Sequence, residues 1–171
     1  MDILLVGDSL AEHWPVDAWH SWKTYSLGVG GDLTQHVLWR LDRTNWCSCQ
    51  PKRILIVVGT NNLLFGESEA DVAAGIEAIA GRLAAVHPVA ELFVLLPPPF
   101  GADLRRGDEE RQALKARLIV WCGHRLIDAD TTLLAVGRLS NPNYQPDLVH
   151  FTARGYEILT GVVQAVFDQA S

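Results

Sequence analysis

The chain is short of cysteine, of basic residues and of long apolar runs, and each shortage removes a class of protein. Three cysteines, an odd number, do not complete a disulfide framework and fit a reduced compartment. Cys47-Ser48-Cys49 lacks the spacing of a zinc knuckle and Cys122 is distant, so no metal site is expected. Fourteen Lys and Arg stand against twenty Asp and Glu, a net charge of −6, with no basic run. A nucleic-acid surface or an anionic-membrane partner is therefore not expected. The longest apolar stretches are strand-sized, short of the ~20 residues that a membrane span needs. The N-terminus enters an apolar run at Ile3 without the basic, apolar and small-residue sections of a leader, so the chain as given reads as cytoplasmic. Repeats, low-complexity tracts and linkers are also absent, and 171 residues fit one domain, 1–171.

What is present is an alternation. Hydrophobic content of 49% with 20% charged residues is ordinary for a soluble α/β protein. Strand-length apolar runs occur at 3–6, 54–58 and 92–96, with a short strand expected around Leu126-Ile127. They are near-continuous, the pattern of strands covered on both faces. Between them Val72, Ile76, Ile79, Leu83 and Val86 recur at helical spacing, as do Ile158, Leu159, Val162, Val163, Val166 and Phe167. Leu33, Val37, Leu38 and Leu41 make a shorter stripe, and Leu114 and Leu118, with Trp121 as a candidate third member, suggest another helix. Strands alternating with helices predict a parallel sheet with helices on both faces. In such sheets ligands bind beyond the carboxyl ends of the strands.

Three motifs fall where that rule places a site. Gly7-Asp8-Ser9-Leu10 follows the first apolar run, Gly59-Thr60-Asn61-Asn62 follows the second, and Asp147-Leu148-Val149-His150 precedes the last helix. A serine hydroxyl becomes an effective nucleophile when a base takes its proton. Among six histidines, His150 is singled out by Asp147 three residues earlier, whose carboxylate can fold back onto one ring nitrogen. That bond sets the tautomer and leaves the other nitrogen to serve Ser9. The same residues have plainer readings. Ser9-Leu10-Ala11-Glu12 fits a capping box, Asp147 could cap a turn after Pro146, Gly31 could be a turn glycine, and Asn61 or Asn62 could make an Asx turn. Asp8 and Thr60 read as loop organisers, and Asp32 as a cap for the second helix. His36 and Trp39, three apart, read as a packing face, and His13 and Trp14 as candidates for a pocket rim.

Together with Gly28-Val29-Gly30-Gly31-Asp32, these blocks resemble the SGNH, or GDSL-type, hydrolase family. The run from Gly30 to Leu41 is most similar to the branch holding platelet-activating-factor acetylhydrolase catalytic subunits. The likeness covers residue 3 to about 160, with Ser26 where relatives often carry Asn two residues before the glycine block. It implies a flavodoxin-like three-layer α/β/α sandwich with a five-stranded parallel sheet in the order 2-1-3-4-5. It also implies an oxyanion hole made by the N–H groups of Ser9 and Gly31 and the side-chain amide of Asn61, the first Asn after Gly-Thr. Relatives in this branch often form dimers, so a homodimer is an open expectation.

The expected activity is a serine esterase using Ser9, Asp147 and His150 in two-step acyl transfer, with no metal and no organic cofactor. A small-molecule ester with a short acyl group, acetyl above all, is the expected substrate, with the Pro97–Asp108 segment, including Phe100 and Arg105-Arg106, as the variable pocket wall. The alternatives are a thioesterase or lysophospholipase with a longer acyl preference, and a catalytically idle glycan-binding module. A nucleotide or flavin binder is disfavoured because Asp8 puts a carboxylate where an anion would sit.

Overall fold

The computed structural model describes residues 1–20, 22–46 and 48–170. Five strands, β1 (Ile3–Gly7), β2 (Thr24–Gly28), β3 (Arg53–Val57), β4 (Glu91–Leu95) and β5 (Leu126–Ile127), form one sheet in the order β2-β1-β3-β4-β5. Every pairing is parallel, with Ile3 opposite Thr24 on one side and Arg53 on the other. The strand order and layers are those the resemblance implies.

Side-chain alternation along the continuous apolar runs divides them between two cores. Ile3, Leu5, Leu55, Val57, Phe93 and Leu95 face one layer, built from α1 (Ser9–Glu12), α6 (Asp130–Leu133) and α7 (Ala153–Gln169). Leu4, Val6, Ile54, Ile56 and Val94 face the other, built from α2 (Thr34–Leu41), α4 (Glu69–Val86) and α5 (Asp108–Cys122). A short helix, α3 (Thr60–Leu64), follows β3. The stripe on α4 is borne out in its inner four members: Val72, Ile76, Ile79 and Leu83 are wholly buried. Burial of each contributes about 1.5–3 kcal/mol. Ser68 starts this helix by accepting from the Asp71 N–H.

Three features depart from the sequence reading. The strand β2, Thr-Tyr-Ser-Leu-Gly, is an edge strand with half-buried and exposed residues, so it lacks the apolar run that marks the others. Trp121 is 44% exposed and does not belong to the buried stripe of α5, which instead runs Arg111, Leu114, Leu118. Phe100 is 1% exposed and packs in the second core rather than lining a pocket wall. No helix among the described residues is long and apolar enough to cross a membrane.

Candidate active site

The site collects at the carboxyl ends of β1, β2 and β3. Directly after Gly7, Asp8 caps α1 by accepting from the Leu10 N–H at 2.9 Å. The cap is therefore Asp8, and the capping-box reading of Ser9 is corrected: Ser9 is the first residue inside the helix. Its N–H lies in the first turn, where no intrahelical acceptor exists.

The loop after β2 approaches α1 closely. A methyl at Gly28 would come within 2.2 Å of the Glu12 backbone nitrogen, so only glycine admits this contact. Ser26 holds the strand end by donating to the Ala11 carbonyl at 2.8 Å and accepting from Gly28 N–H at 3.0 Å. Gly31 has φ of +79°, a left-handed turn position, and its N–H makes no hydrogen bond among the described residues. Asp32 does not cap α2, whose N-terminal flanking residue is Leu33; its carboxylate instead pairs with Arg40 at 2.6 Å. Arg40 also donates to the Gly7 carbonyl at 3.2 Å, joining the ends of β1 and the glycine loop.

The two adjacent asparagines are sorted by their partners. Asn61 is half-buried and donates one amide hydrogen to the Asp32 carbonyl at 3.0 Å, which leaves its second donor uncommitted. Asn62 is fully buried and structural, accepting from Thr34 N–H and donating to Glu67 at 2.7 Å.

Asp147 and His150 arrive on a turn just before α7. Asp147 Oδ1 accepts the N–H groups of Val149 and His150, both at 3.0 Å, and Leu148 takes φ of +55°. Gly101 N–H donates to the Leu148 carbonyl at 2.8 Å, and Gln145 N–H to the His150 carbonyl at 2.8 Å, fixing the turn from two sides. His150 Nδ1 lies 2.6 Å from Asp147 Oδ2, and His150 Nε2 lies 2.9 Å from Ser9 Oγ. With the proton on Nδ1, the ring donates to Asp147 and its Nε2 accepts from the Ser9 hydroxyl. Burial alone would raise the Asp147 carboxyl, but the His150 ring and the two N–H groups outweigh it and hold it below the usual carboxylate value.

The structure thus brings Ser9, His150 and Asp147 into one hydrogen-bonded line, with Asn61 tied to the glycine loop. A methyl on Gly30 would stand 3.9 Å from Ser9 Cβ, which sets that loop beside the serine. Of the two rim candidates, Trp14 is 2% exposed and donates to Thr160 Oγ1 within the core, whereas His13 is exposed with its ring 5.5 Å from that of His150. His36 and Trp39 are both exposed rather than packed inward; Arg43 lies 4.2 Å over the Trp39 ring. Arg106 donates to the Leu64 carbonyl at 2.9 Å. Cys49 and Cys122 are free thiols, Cys47 lies outside the described residues, and no His, Cys, Asp and Glu cluster suited to a metal occurs among those described.

Sequence reasoning did not foresee the burial of one ionisable group at this site. Asp8 does organise its loop, through the Leu10 N–H, but it is also 1% exposed and its Oδ2 has no hydrogen-bond partner among the described residues. Burial, with the nearby charge of Asp32 adding to it and the Leu10 N–H opposing it, pushes its carboxyl up to about 7.

An all-parallel sheet in this order, with a serine, a histidine and a carboxylate meeting beyond its strand ends, puts those groups where open α/β sheets bind their ligands. The chain belongs to the GDSL-like Lipase/Acylhydrolase family, whose model matches residues 5–158. It is 32% identical over 166 residues to platelet-activating factor acetylhydrolase IB subunit alpha2 from Homo sapiens, covering 91% of this chain and 71% of that protein. Among solved structures it is similar to a member of the lipolytic protein G-D-S-L family from Veillonella parvula, with TM-score 0.81, 18% identity and 99% of each chain covered. A carbohydrate esterase family 3 structure from Talaromyces cellulolyticus matches with TM-score 0.74 and 15% identity, covering 99% of this chain and 98% of that one. At these identities the two structures establish the shared fold. The family makes this chain an ester-hydrolysing enzyme of the acylhydrolase type.

Proposed function

We propose that this enzyme is a serine esterase acting on short-chain carboxylic esters, acetyl above all, with Ser9 as nucleophile, His150 as base and Asp147 as its orienting carboxylate. The observation that carries the reading is the unbroken line of Ser9 Oγ, His150 Nε2, His150 Nδ1 and Asp147 Oδ2, at 2.9 and 2.6 Å. Ser9 Oγ bonds to the ester carbonyl carbon while its proton passes to His150. The tetrahedral oxyanion is met by the N–H groups of Ser9 and Gly31 and the free amide hydrogen of Asn61. Collapse breaks the carbon–oxygen bond to the alcohol, which leaves with the proton from His150. Water, deprotonated by His150, then releases the acid and regenerates Ser9.

Short-acyl preference is supported by where three apolar side chains, two around α1 and one after β4, went. Leu10, Trp14 and Phe100 are each no more than 2% exposed and committed to the cores, so they do not line a channel for a long chain. The name of the human relative, an acetylhydrolase subunit, agrees with an acetyl group. The test is hydrolysis of p-nitrophenyl acetate, butyrate, octanoate and palmitate by the wild type and by Ser9→Ala. Activity falling with chain length and abolished in the variant supports the reading. A preference for octanoate or longer moves the enzyme to the thioesterase or lysophospholipase alternative. Equal, slow turnover by both proteins rejects the role of Ser9.

A further inference from the structure

Glu12, the last residue of the short helix α1, and His13, which caps its carboxyl end, stand three and four residues after Ser9. Both are exposed, whereas Leu10, Ala11 and Trp14 around them are buried. Glu12 lies against the glycine loop: a methyl on Gly30 would stand 3.0 Å from Glu12 Oε2 and 3.9 Å from Ser9 Cβ. His13 lies against the base, its ring 5.5 Å from the His150 ring and tilted 52° to it. The two side chains therefore flank the nucleophile, one toward the oxyanion loop and one toward the group that protonates the leaving alcohol.

Their mutual distance is informative. His13 Nε2 and Glu12 Oε2 are 3.9 Å apart, too far for a hydrogen bond to each other. One hydroxyl oxygen, however, can stand at hydrogen-bonding distance from both. The alcohol of the substrate must have its ester oxygen within reach of His150 Nε2, and His13 stands beside that ring.

We infer that Glu12 and His13 form a subsite for a free hydroxyl on the leaving alcohol, close to the ester. The substrate class is then a partial ester of a polyol or sugar, in which a neighbouring hydroxyl donates to the Glu12 carboxylate and meets the His13 imidazole. This rests on the proposed esterase reading and adds the nature of the alcohol to it.

A matched pair of esters separates this from general esterase activity: 2-hydroxyethyl acetate and propyl acetate differ by a hydroxyl in place of a methyl. The wild type is expected to favour the hydroxylated ester in kcat/KM by about tenfold, the scale of a hydrogen bond to a charged group. Glu12→Ala and His13→Ala should each bring that ratio down toward one, chiefly through KM, and Glu12→Gln should restore part of it. A wild-type ratio near one, or a ratio unmoved in both alanine variants, overturns the subsite. Ser9→Ala, run alongside, separates the two readings. Turnover retained in that variant overturns the esterase reading and the subsite with it, whereas turnover lost there with an unmoved ratio overturns the subsite alone.

Discussion

Asp8 should make the stability of this protein fall as the solution becomes less acidic, and Asp8→Asn should remove that dependence. The carboxyl is 1% exposed, has one oxygen on the Leu10 N–H at 2.9 Å and leaves the other without a partner among the described residues. Its proton affinity rises from an ordinary 3.8 to about 7 in the fold. Below pH 3.8 both folded and unfolded chains carry the proton, and the full contribution to stability is present. Between the two values the unfolded chain has released the proton and the folded one has kept it, so each further rise in pH favours unfolding. Above about 7 the loss is complete, and at ~1.4 kcal/mol for each tenfold difference it totals roughly 4 kcal/mol. Asparagine keeps an oxygen for the Leu10 N–H and cannot ionise. Urea unfolding of both proteins from pH 4.5 to 8.5 should show the variant gaining on the wild type up to about pH 7 and holding a constant margin above it. Two stability curves that run parallel would refute the reasoning, because they would mean that Asp8 carries the same charge in the folded and unfolded chains.

Two other substitutions probe the parts around it. Asn61→Ala removes the uncommitted amide donor and should lower kcat on p-nitrophenyl acetate by about 10²–10³-fold; a loss below fivefold would take Asn61 out of the oxyanion hole. Gly28→Ala would drive a methyl to 2.2 Å from the Glu12 nitrogen and 2.7 Å from the Asp8 carbonyl oxygen, both backbone atoms that cannot rotate away. The expected cost is about 1–3 kcal/mol, read as a lowered midpoint in thermal unfolding, and an unchanged midpoint would show that α1 can move off the loop without penalty.

Apolar pattern made most of the sheet legible. Runs such as Ile3-Leu4-Leu5-Val6 have to satisfy two cores at once, and a strand covered on both faces is the arrangement that buries every member. The strand β2 escaped because an edge strand with exposed Tyr25 has no such obligation. The line from Ser9 to Asp147 was legible in two parts: the Asp147-to-His150 turn is local, so spacing carries its geometry, while the meeting of His150 with Ser9, 141 residues away, came from the family resemblance. Phe100 and Trp14 misled because an aromatic beside a functional motif looks like a pocket wall, and composition cannot say which way a ring points.

What stayed hidden was buried charge. Sequence pattern sends ionisable residues to the surface, yet Asp8, Asp32 and Arg111 are all buried. Arg111 sits on the inner stripe of α5, three residues before Leu114, and donates to the Pro97 carbonyl at 2.7 Å and to both oxygens of Asp130. It thereby holds the start of the Pro97–Gly101 segment, whose last N–H holds Leu148 in the turn between Asp147 and His150. Asp32 does the corresponding work on the other side through Arg40, which reaches back to the Gly7 carbonyl just before Asp8 and Ser9. Arg111 and the Asp32–Arg40 pair each act on a backbone segment distant in sequence, so no local spacing announces them. Buried ions are costly unless well partnered, and here the partners are backbone carbonyls and carboxylates that tie the loops down. The result is the placement of two loops at the sheet's carboxyl end, one bearing the base and one bordering the nucleophile.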